Sequence, residues 1–215
     1  MKLFLSRLHF PVTTLGFGRR VGVWFQGCSI HCPGCVSHDT WAFGRGETTL
    51  ECVCAQVRPW LSEADGVTLS GGEPFDQPGA LAALLRWLRP RFSGDISVFS
   101  GYSWELLAPR LRDMEGRIDL LISDPFDPAA GQTLALRGSD NQRIHLLTPL
   151  AHERYAGLAT ARRDAAARAL DVVFDGDTVW MAGIPAVGDL ERLRLSLAEA
   201  GFSAGTSEAP SPVLA

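Results

Sequence analysis

Three cysteines within eight residues constrain this chain more than any other feature. Cys28, Cys32 and Cys35 follow the spacing C-x3-C-x2-C, which can supply three thiolates to one cuboidal metal cluster. A [4Fe-4S] cluster has four irons and usually takes four Cys ligands. Because this loop supplies three, one iron is left open to bind a small molecule. We therefore predict a single [4Fe-4S] cluster in a loop over residues 26–41.

Two other interpretations of the cysteines are weaker. A structural zinc site completed by His31 or His38 is the first, because Cys3His sets hold zinc tetrahedrally. Disulfides are the second, but the chain has five cysteines, an odd number, and nothing resembling an export signal. Cys52 and Cys54 fall in a predicted helix over residues 50–57, where buried free thiols are common core residues.

Composition and charge exclude several function classes. The chain has 215 residues, of which 46% are hydrophobic and 20% charged, which is typical of one well-buried globular domain. Arg7 and His9 interrupt the N-terminal segment too early for a signal peptide, and no apolar run approaches the roughly 20 residues of a membrane span. A net charge of -4 gives no general reason to bind nucleic acid. We expect a cytoplasmic protein that binds neither membranes nor nucleic acids.

Strand-like runs alternate with helical patterns between about residue 20 and residue 147. This alternation is typical of βα units around a parallel sheet, and ligands bind such sheets at the carboxyl ends of the strands. One predicted helix begins at Pro78, and its apolar face consists of Leu81, Leu84, Leu85 and Leu88. Another is predicted from about Ser103 to Asp113. The predicted strands cover residues 21–25, 67–70, 96–100, 118–122 and 143–147.

The pattern changes beyond Pro149. An Ala- and Arg-rich segment over residues 151–169 predicts a connecting helix, residues 170–181 predict a β-hairpin with an Asp-Gly turn, and a last helix runs from Asp189 to a stop at Gly201. The final residues have a composition typical of disorder. The predicted organisation is a core over residues 1–148, a C-terminal extension over 149–202 and a disordered tail over 203–215.

A second motif, Gly71-Gly72-Glu73-Pro74, follows the second predicted strand. Glycines lack a Cβ and let backbone groups approach a ligand closely, and Glu73 can accept a hydrogen bond from an amino group. Alone, the motif is more simply explained as a strand-to-helix turn that needs glycine. It stands about forty residues after the cysteine loop, again at a strand end, and this arrangement favours a ligand site.

The two motifs together resemble the radical S-adenosylmethionine (SAM) superfamily. Within it, segments in matching order over about residues 10–148 resemble the activating enzymes of anaerobic ribonucleoside-triphosphate reductase, a group of glycyl-radical-enzyme activases. These segments are Gly16-Phe-Gly18-Arg19, Phe25-Gln-Gly-Cys28, Cys32-Pro-Gly-Cys35, Thr40-Trp41, Leu69-Ser-Gly-Gly-Glu-Pro74, Ser100-Gly-Tyr102 and Arg137-Gly-Ser-Asp-Asn-Gln142.

The resemblance implies a partial (β/α) barrel that binds one [4Fe-4S] cluster and one SAM. Reductive cleavage of SAM would give a 5'-deoxyadenosyl radical, which takes a hydrogen from a glycine of a partner glycyl radical enzyme. An electron donor such as flavodoxin or ferredoxin is implied, and no catalytic side chain beyond the cluster and SAM. The implied metal ligands are Cys28, Cys32 and Cys35. The implied SAM-binding residues are Gly71, Gly72, Glu73, Pro74, Ser100, Tyr102, Asp124, Arg137 and Asn141.

The chain departs from the family pattern at three places. Phe17 stands where the family has Pro, and Ser123-Asp124 stands where it usually has Asp-Gly. Either Ser123 or Asp124 would therefore face the SAM ribose. Residues 149–202 have no counterpart in its shortest members, and this addition could cover the barrel mouth or dock a different partner. Two other functions stay open: a radical SAM enzyme that modifies another peptide, protein or small molecule, and a non-catalytic metal-binding or electron-transfer module. The Gly-Gly-Glu motif argues against the latter.

Overall fold

A seven-stranded sheet forms the centre of the protein, whose computed structural model describes residues 1–164, 167, 169–175, 178–199 and 201. Its strands are β1 (Lys2–Val12), β2 (Arg20–Phe25), β3 (Glu47–Thr49), β4 (Gly66–Gly71), β5 (Asp95–Phe99), β6 (Leu120–Ser123) and β7 (Arg143–Leu146). Their spatial order is β3-β1-β2-β4-β5-β6-β7. The four strands β2, β4, β5 and β6 run parallel, which confirms the predicted α/β class.

Helices cover the parallel strands, as the sequence pattern predicts. The first two are α1 (Leu50–Val57) and α2 (Pro78–Leu88). The apolar face predicted for α2 is fully buried in the core, as expected for a helix packed on a sheet. Most residues of the parallel strands are buried, on both faces of the sheet, as expected for a parallel sheet that is covered on both sides. No helix within the described residues is long and apolar enough to cross a membrane.

Three strands pair antiparallel at the sides of the sheet. β1 pairs with β2, β3 pairs with β1, and β7 pairs with β6. β1 and β3 were not predicted, and β7 was predicted as part of a parallel sheet. The connection between β6 and β7 contains a short 3-10 turn, Pro128–Ala130, and lacks the crossover helix that a parallel partner would require.

Two predicted helices are shorter than the sequence suggested. The helix expected from Ser103 to Asp113 is α3 (Trp104–Leu107), followed by a 3-10 turn over Arg110–Met114, because Pro109 cannot continue the hydrogen-bond ladder. The connecting helix over 151–169 was wrong. There, α4 (Pro149–Arg154) ends before Gly157, whose φ is +79°, and no other described residue of the segment is helical.

The C-terminal hairpin and helix are confirmed. Strands β8 (Leu170–Asp175) and β9 (Thr178–Gly183) pair antiparallel, and α5 (Asp189–Glu199) precedes Gly201, whose φ is +87°. The predicted turn at residues 176–177 and the tail at 203–215 lie outside the described residues. The division at residue 148 stays a prediction, although α4 already packs on the core, where Ala151 is buried beside Leu120 and Ile122.

Candidate cluster and cofactor site

A cavity of about 500 Å³ lies at the carboxyl ends of the parallel strands. Its lining brings together the two motifs that stand about forty residues apart in the sequence. From the cysteine loop it includes Cys28, Cys32 and Cys35, and from the strand ends it includes Gly71, Gly72, Glu73 and Ser100. Seven of the twelve predicted site residues therefore surround one space.

The cysteine loop is closed by hydrogen bonds across its base. The Gly27 N–H donates to the Thr40 carbonyl at 2.7 Å, and the Cys28 N–H donates to the Trp41 carbonyl at 3.1 Å. The buried Gln26 side chain donates to the Ala42 carbonyl at 2.8 Å. These bonds fix both ends of the loop, so the three thiols are presented to the cavity by a closed turn.

The two histidines of the loop pack on Trp41. The ring of His31 stacks on it at 4.6 Å and that of His38 lies at 4.2 Å, and neither lines the cavity. No three His, Cys, Asp or Glu side chains of the described residues form a group that could hold one metal ion. The all-thiol set Cys28, Cys32 and Cys35 suits an iron–sulfur cluster, whose ligands bind separate irons.

Burial raises the pKa of all three thiols of the loop. The charge of Glu73 raises the pKa of Cys28 and Cys32 further, whereas backbone N–H groups lower it in part. The pKa of Cys35 is raised by burial and then by the neighbouring cysteines. Since metal ligands must be deprotonated, cluster binding releases protons here, and the chain without its cluster keeps these thiols neutral.

The glycines of the second motif are required by the backbone of the cysteine loop. The Gly72 N–H donates to the Phe25 carbonyl and the Glu73 N–H to the Gly27 carbonyl, both at 2.8 Å. A Cβ on Gly72 would lie 2.1 Å from the Gly27 oxygen, and one on Gly71, whose φ is +106°, would lie 2.4 Å from the Phe25 oxygen. The sequence predicted close approach to SAM as their reason; the described contact is between the two motifs themselves.

Glu73 is a buried carboxylate on the cavity wall, with 1% of its surface exposed. It accepts hydrogen bonds from the Phe75 N–H and the Ser100 hydroxyl at 2.9 Å, and from the Gly101 N–H at 2.8 Å. Burial raises its pKa from 4.5 to about 7, and these bonds offset burial only in part. No described Lys, Arg or His pairs with Glu73. A carboxylate has about four acceptor sites, so one remains for a further donor.

Ser100 and Tyr102 hold other parts of the site in place. The Ser100 hydroxyl donates to Glu73 and accepts from the Tyr102 N–H. The Tyr102 hydroxyl donates to Asp76 at 2.7 Å, and Asp76 accepts from the Ser29 N–H at 2.7 Å. Sequence reasoning missed Asp76, although it stands three residues after Glu73, at the end of a 3-10 turn. Asp76 links Tyr102, just beyond β5, to Ser29, the residue after Cys28.

Five predicted SAM ligands do not line the cavity: Pro74, Tyr102, Asp124, Arg137 and Asn141. Pro74 is buried at the start of a 3-10 turn, and Asp124 accepts two hydrogen bonds from Arg143. Arg137 donates to main-chain carbonyls that include those of Leu158 and Ala159 at 3.0 and 2.7 Å. The Asn141 amide donates to the Pro125 carbonyl at 2.8 Å. Contact of these five with SAM stays a prediction.

Of the two candidates for facing the ribose, neither lines the cavity. The buried Ser123 hydroxyl donates to Asp124 at 2.7 Å and lies 2.9 Å from the His145 ring nitrogen Nε2. From the same connection, the cavity takes Phe126 and Gln142. Gln142 belongs to the Arg137–Gln142 segment of the family pattern, which is the signal that could have found it.

The C-terminal extension supplies a further part of the lining, which agrees with the expectation that residues 149–202 could cover the mouth of the site. The residues of this part are Leu170, Met181, Ala182, Gly183, Ile184, Pro185, Ala186, Val187, Gly188, Leu190 and Glu191. The hairpin and the segment after it therefore belong to the site. They face the same space as the cluster loop and the strand ends.

Comparison with known proteins agrees with this geometry. The family model described as 4Fe-4S single cluster domain matches residues 14–145, which include the cysteines and the Gly-Gly-Glu motif. An anaerobic ribonucleoside-triphosphate reductase-activating protein of Haemophilus influenzae is 32% identical over 147 residues, covering 64% of this chain and 94% of the relative. The chain belongs to the radical SAM activases with a single 4Fe-4S cluster domain.

Two further relatives match the chain at lower identity or over a shorter segment. The reductase-activating protein of phage T4 is 29% identical over 134 residues, covering 60% of this chain and 85% of the relative. A pyruvate formate-lyase-activating enzyme of Clostridium pasteurianum is 38% identical over 93 residues, covering 39% of each chain. The activase is thus matched by relatives named for two different partner enzymes.

Proposed function

We propose that this activase cleaves SAM reductively and takes a hydrogen atom from a glycine of a partner glycyl radical enzyme, most closely in the manner of the anaerobic ribonucleotide reductase activases. The cluster, when bound and reduced by a donor such as flavodoxin or ferredoxin, would supply the one electron that converts SAM to methionine and a 5'-deoxyadenosyl radical, and this radical would become 5'-deoxyadenosine on taking the hydrogen. Cys28, Cys32 and Cys35 would hold the cluster, and Glu73 would hold the SAM amino group.

The observation that supports this best is the uncompensated carboxylate of Glu73. A buried carboxylate without a neighbouring cation is costly, and its raised pKa of about 7 reflects that cost. A cationic amino group in the cavity would supply the missing charge and occupy the free acceptor site. Strongly shifted groups in a cavity are candidate ligand-binding residues, and SAM is a cofactor that carries such an amino group.

The chain's own residues would orient the cofactor without taking part in bond cleavage. Ser100 and the Gly101 N–H fix the direction of the Glu73 carboxylate, and the backbone bonds of Gly72 and Glu73 fix its distance from the cysteine loop. Trp24, which is buried, and Phe99 also line the cavity, and such apolar walls limit the water that could quench a radical.

The same proposal extends to the fold, the cellular compartment and the remaining SAM ligands. The described sheet would curve as the partial (β/α) barrel of the radical SAM fold, with residues 1–148 as its core and 149–202 as the extension. The five cysteines are free thiols, which accords with a reducing cytoplasm. The family resemblance supports Pro74, Tyr102, Asp124, Arg137 and Asn141 as further SAM ligands after loop adjustment.

A second candidate is a radical SAM enzyme of the same build that modifies another peptide, protein or small molecule. It is favoured by the added wall of residues 181–191, since relatives named for different partners already share the cluster domain. A non-catalytic metal-binding or electron-transfer module would not need a buried, unpaired carboxylate beside the cluster ligands.

The test is radical transfer to the partner. The activase, reconstituted without oxygen, is reduced and mixed with SAM and each glycyl radical enzyme encoded in the same genome. We expect a doublet in the electron paramagnetic resonance spectrum of the partner, formed together with 5'-deoxyadenosine. If SAM is cleaved while every such partner stays radical-free, the second candidate replaces activation; if SAM is not cleaved, both fail.

A further inference from the structure

Residues 183–191, which we call the strap, run from the last residue of β9 into the first turn of α5 and contribute eight residues to the cavity lining. They lie beyond residue 145, where the match to the family model ends. The same cavity thus has walls of two origins. The cluster ligands and Gly-Gly-Glu motif come from the shared part of the chain, and the strap comes from the extension.

Hydrogen bonds hold the strap to both sides of the sheet. Where β9 leads into it, the Thr14 hydroxyl, just after β1, donates to the Ala182 carbonyl at 3.0 Å. Further along, the Val187 N–H donates to the Gln132 side-chain oxygen at 2.8 Å, and the Arg163 guanidinium donates to the Ile184 carbonyl at 2.9 Å. Gln132 lies between β6 and β7, so the strap crosses from the β1 side of the sheet to the β7 side.

The hairpin that carries the strap is anchored by its own contacts. Asp171 accepts hydrogen bonds from the Thr13 N–H at 2.6 Å and the Thr13 hydroxyl at 2.7 Å. The Trp180 ring packs edge-on against Trp24, with 5.7 Å between the ring centres. The Arg7 guanidinium lies 5.0 Å from the centre of the Trp180 ring. These contacts make the position of the strap a property of the folded core.

The exposed members of the lining mark the opening of the cavity. They come from the cluster loop, the β6–β7 connection and the strap: Gly34, Val36, Asp39, Pro128, Val187, Gly188 and Glu191. Val36 is 38% exposed and Val187 is 77% exposed. The carboxylates at the opening are each paired with an arginine, Asp39 with Arg7 and Glu191 with Arg194. The opening therefore presents apolar side chains and neutralised charges.

We propose that the strap is the specificity element of this activase and that substrate reaches the cavity between Val36 and Val187. The opening suits an extended, uncharged, glycine-centred segment of a partner protein. A glycine lacks a side chain and lets its backbone approach other atoms closely, and the strap, as one wall of the opening, would select segments by their size. The identity of the substrate rests on the proposed function, whereas control of access by the strap does not.

The first experiment measures access alone, in the cluster-free full chain. A maleimide carrying a polyethylene glycol chain is reacted with Cys28, Cys32 and Cys35, and Cys52, which is exposed and outside the cavity, is the internal reference. We expect Val187→Trp to slow modification of the three cavity thiols about tenfold relative to Cys52, which equals about 1.4 kcal/mol in the activation free energy of modification. Gln132→Ala, which frees the strap, should accelerate it.

Leu195→Trp is the matched control. Leu195 is an exposed apolar residue of α5, 48% exposed, and does not line the cavity, so its variant should match the parent. Equal rates for the parent and Val187→Trp, or equal slowing by Leu195→Trp, would overturn the placement of the opening at the strap.

The second experiment measures selectivity in the holoenzyme with SAM. Val187→Trp should lower radical formation on the partner about tenfold more than it lowers 5'-deoxyadenosine formation without partner, through a higher KM for the partner. If both fall equally, the strap holds SAM and does not select substrate, and the proposal is wrong. If the parent yields no partner radical while the thiol-access pattern holds, the proposed function fails and strap-controlled access stands.

Discussion

The two ends of the parallel strands each hold a buried carboxylate, and the surroundings of these two groups differ. Asp95, at the start of β5, is fully buried, and the Arg20 guanidinium donates to it at 2.6 and 3.2 Å. Arg154, the Tyr155 hydroxyl and the Ser97 hydroxyl also donate to it, at 2.8, 2.9 and 3.1 Å. Glu73, just beyond the end of β4, accepts three hydrogen bonds from neutral donors and pairs with no described cation.

The pKa values of the two carboxylates move in opposite directions. Burial raises the pKa of Asp95, but the hydrogen bonds and charge of Arg20 outweigh burial and hold it below its usual value. At Glu73 burial prevails and the pKa rises to about 7. Both carboxylates are buried, so the opposite shifts of their pKa values come from their different partners. A carboxylate surrounded by cations stabilises the fold, whereas the carboxylate left without one, beside the cavity, is the group to which the proposed function assigns the SAM amino group.

The largest expected effect is loss of the cluster at the carboxyl ends of the parallel strands, where Glu73 lies. Cys28→Ala, Cys32→Ala or Cys35→Ala should each reduce reconstituted iron from about four per chain to background, because a [4Fe-4S] cluster needs its thiolate ligands. Iron and sulfide analysis checks this. Cys52→Ala and Cys54→Ala, which change thiols on α1, should keep the cluster. Stoichiometric zinc without iron in the protein expressed without oxygen would reject the cluster assignment.

The next largest effect is on the free energy of unfolding, through the Asp95 network at the amino ends of the parallel strands. Arg20→Met should lower the free energy of unfolding by about 3–5 kcal/mol, because it leaves the Asp95 charge buried without its main partner. Urea unfolding of the cluster-free chain measures this. The double variant Arg20→Met/Asp95→Asn should recover part of the loss, since the uncompensated charge is removed. Stability equal to the parent in the single variant would show that the Arg20 network does not stabilise the fold.

A smaller effect separates the two carboxylates by pH. The folded-state pKa of Glu73 is raised, so its contribution to stability is present below the unfolded value of 4.5 and is lost as pH rises through about 7. Between pH 5 and pH 8 the cluster-free parent should lose roughly 2–3 kcal/mol more than Glu73→Gln, which cannot titrate. Parallel losses in the two proteins, measured by urea unfolding, would place the pKa of Glu73 near its ordinary value.

The sequence predicted the centre of the fold better than its sides. Parallel strands and their helices are long apolar runs with clear punctuation, so β2, β4, β5, β6 and α2 were found. β1 was missed because few of its residues are buried and a bulge-like irregularity between Leu5 and Arg7 breaks the alternation. The helix expected over 151–169 followed composition, but tertiary hydrogen bonds from Arg137 to the Leu158 and Ala159 carbonyls hold that chain as turns.

At the site, local motifs were predictable and long-range contacts were not. Spacing identified the three cysteines, and the position of the Gly-Gly-Glu motif after them, together with the family resemblance, identified Glu73, because both signals lie in short segments of sequence. The role of Asp76 depends on Tyr102 and Ser29, which come from distant parts of the chain. The sequence suggested that the extension could cover the mouth of the site, but not the path of the strap, since nothing in residues 183–191 says which surface of the core they cross.

The central claim is that the carboxylate of Glu73 lacks a cation that SAM provides, and SAM affinity tests it most directly. The dissociation constant of SAM is measured at pH 8 for the cluster-reconstituted parent and for Glu73→Gln, with iron content as the control for an intact cluster. Loss of one charge-assisted hydrogen bond is worth about 1.5–3 kcal/mol, so the account predicts an affinity lower by about one to two decades. Equal affinities in two proteins with equal iron would contradict it.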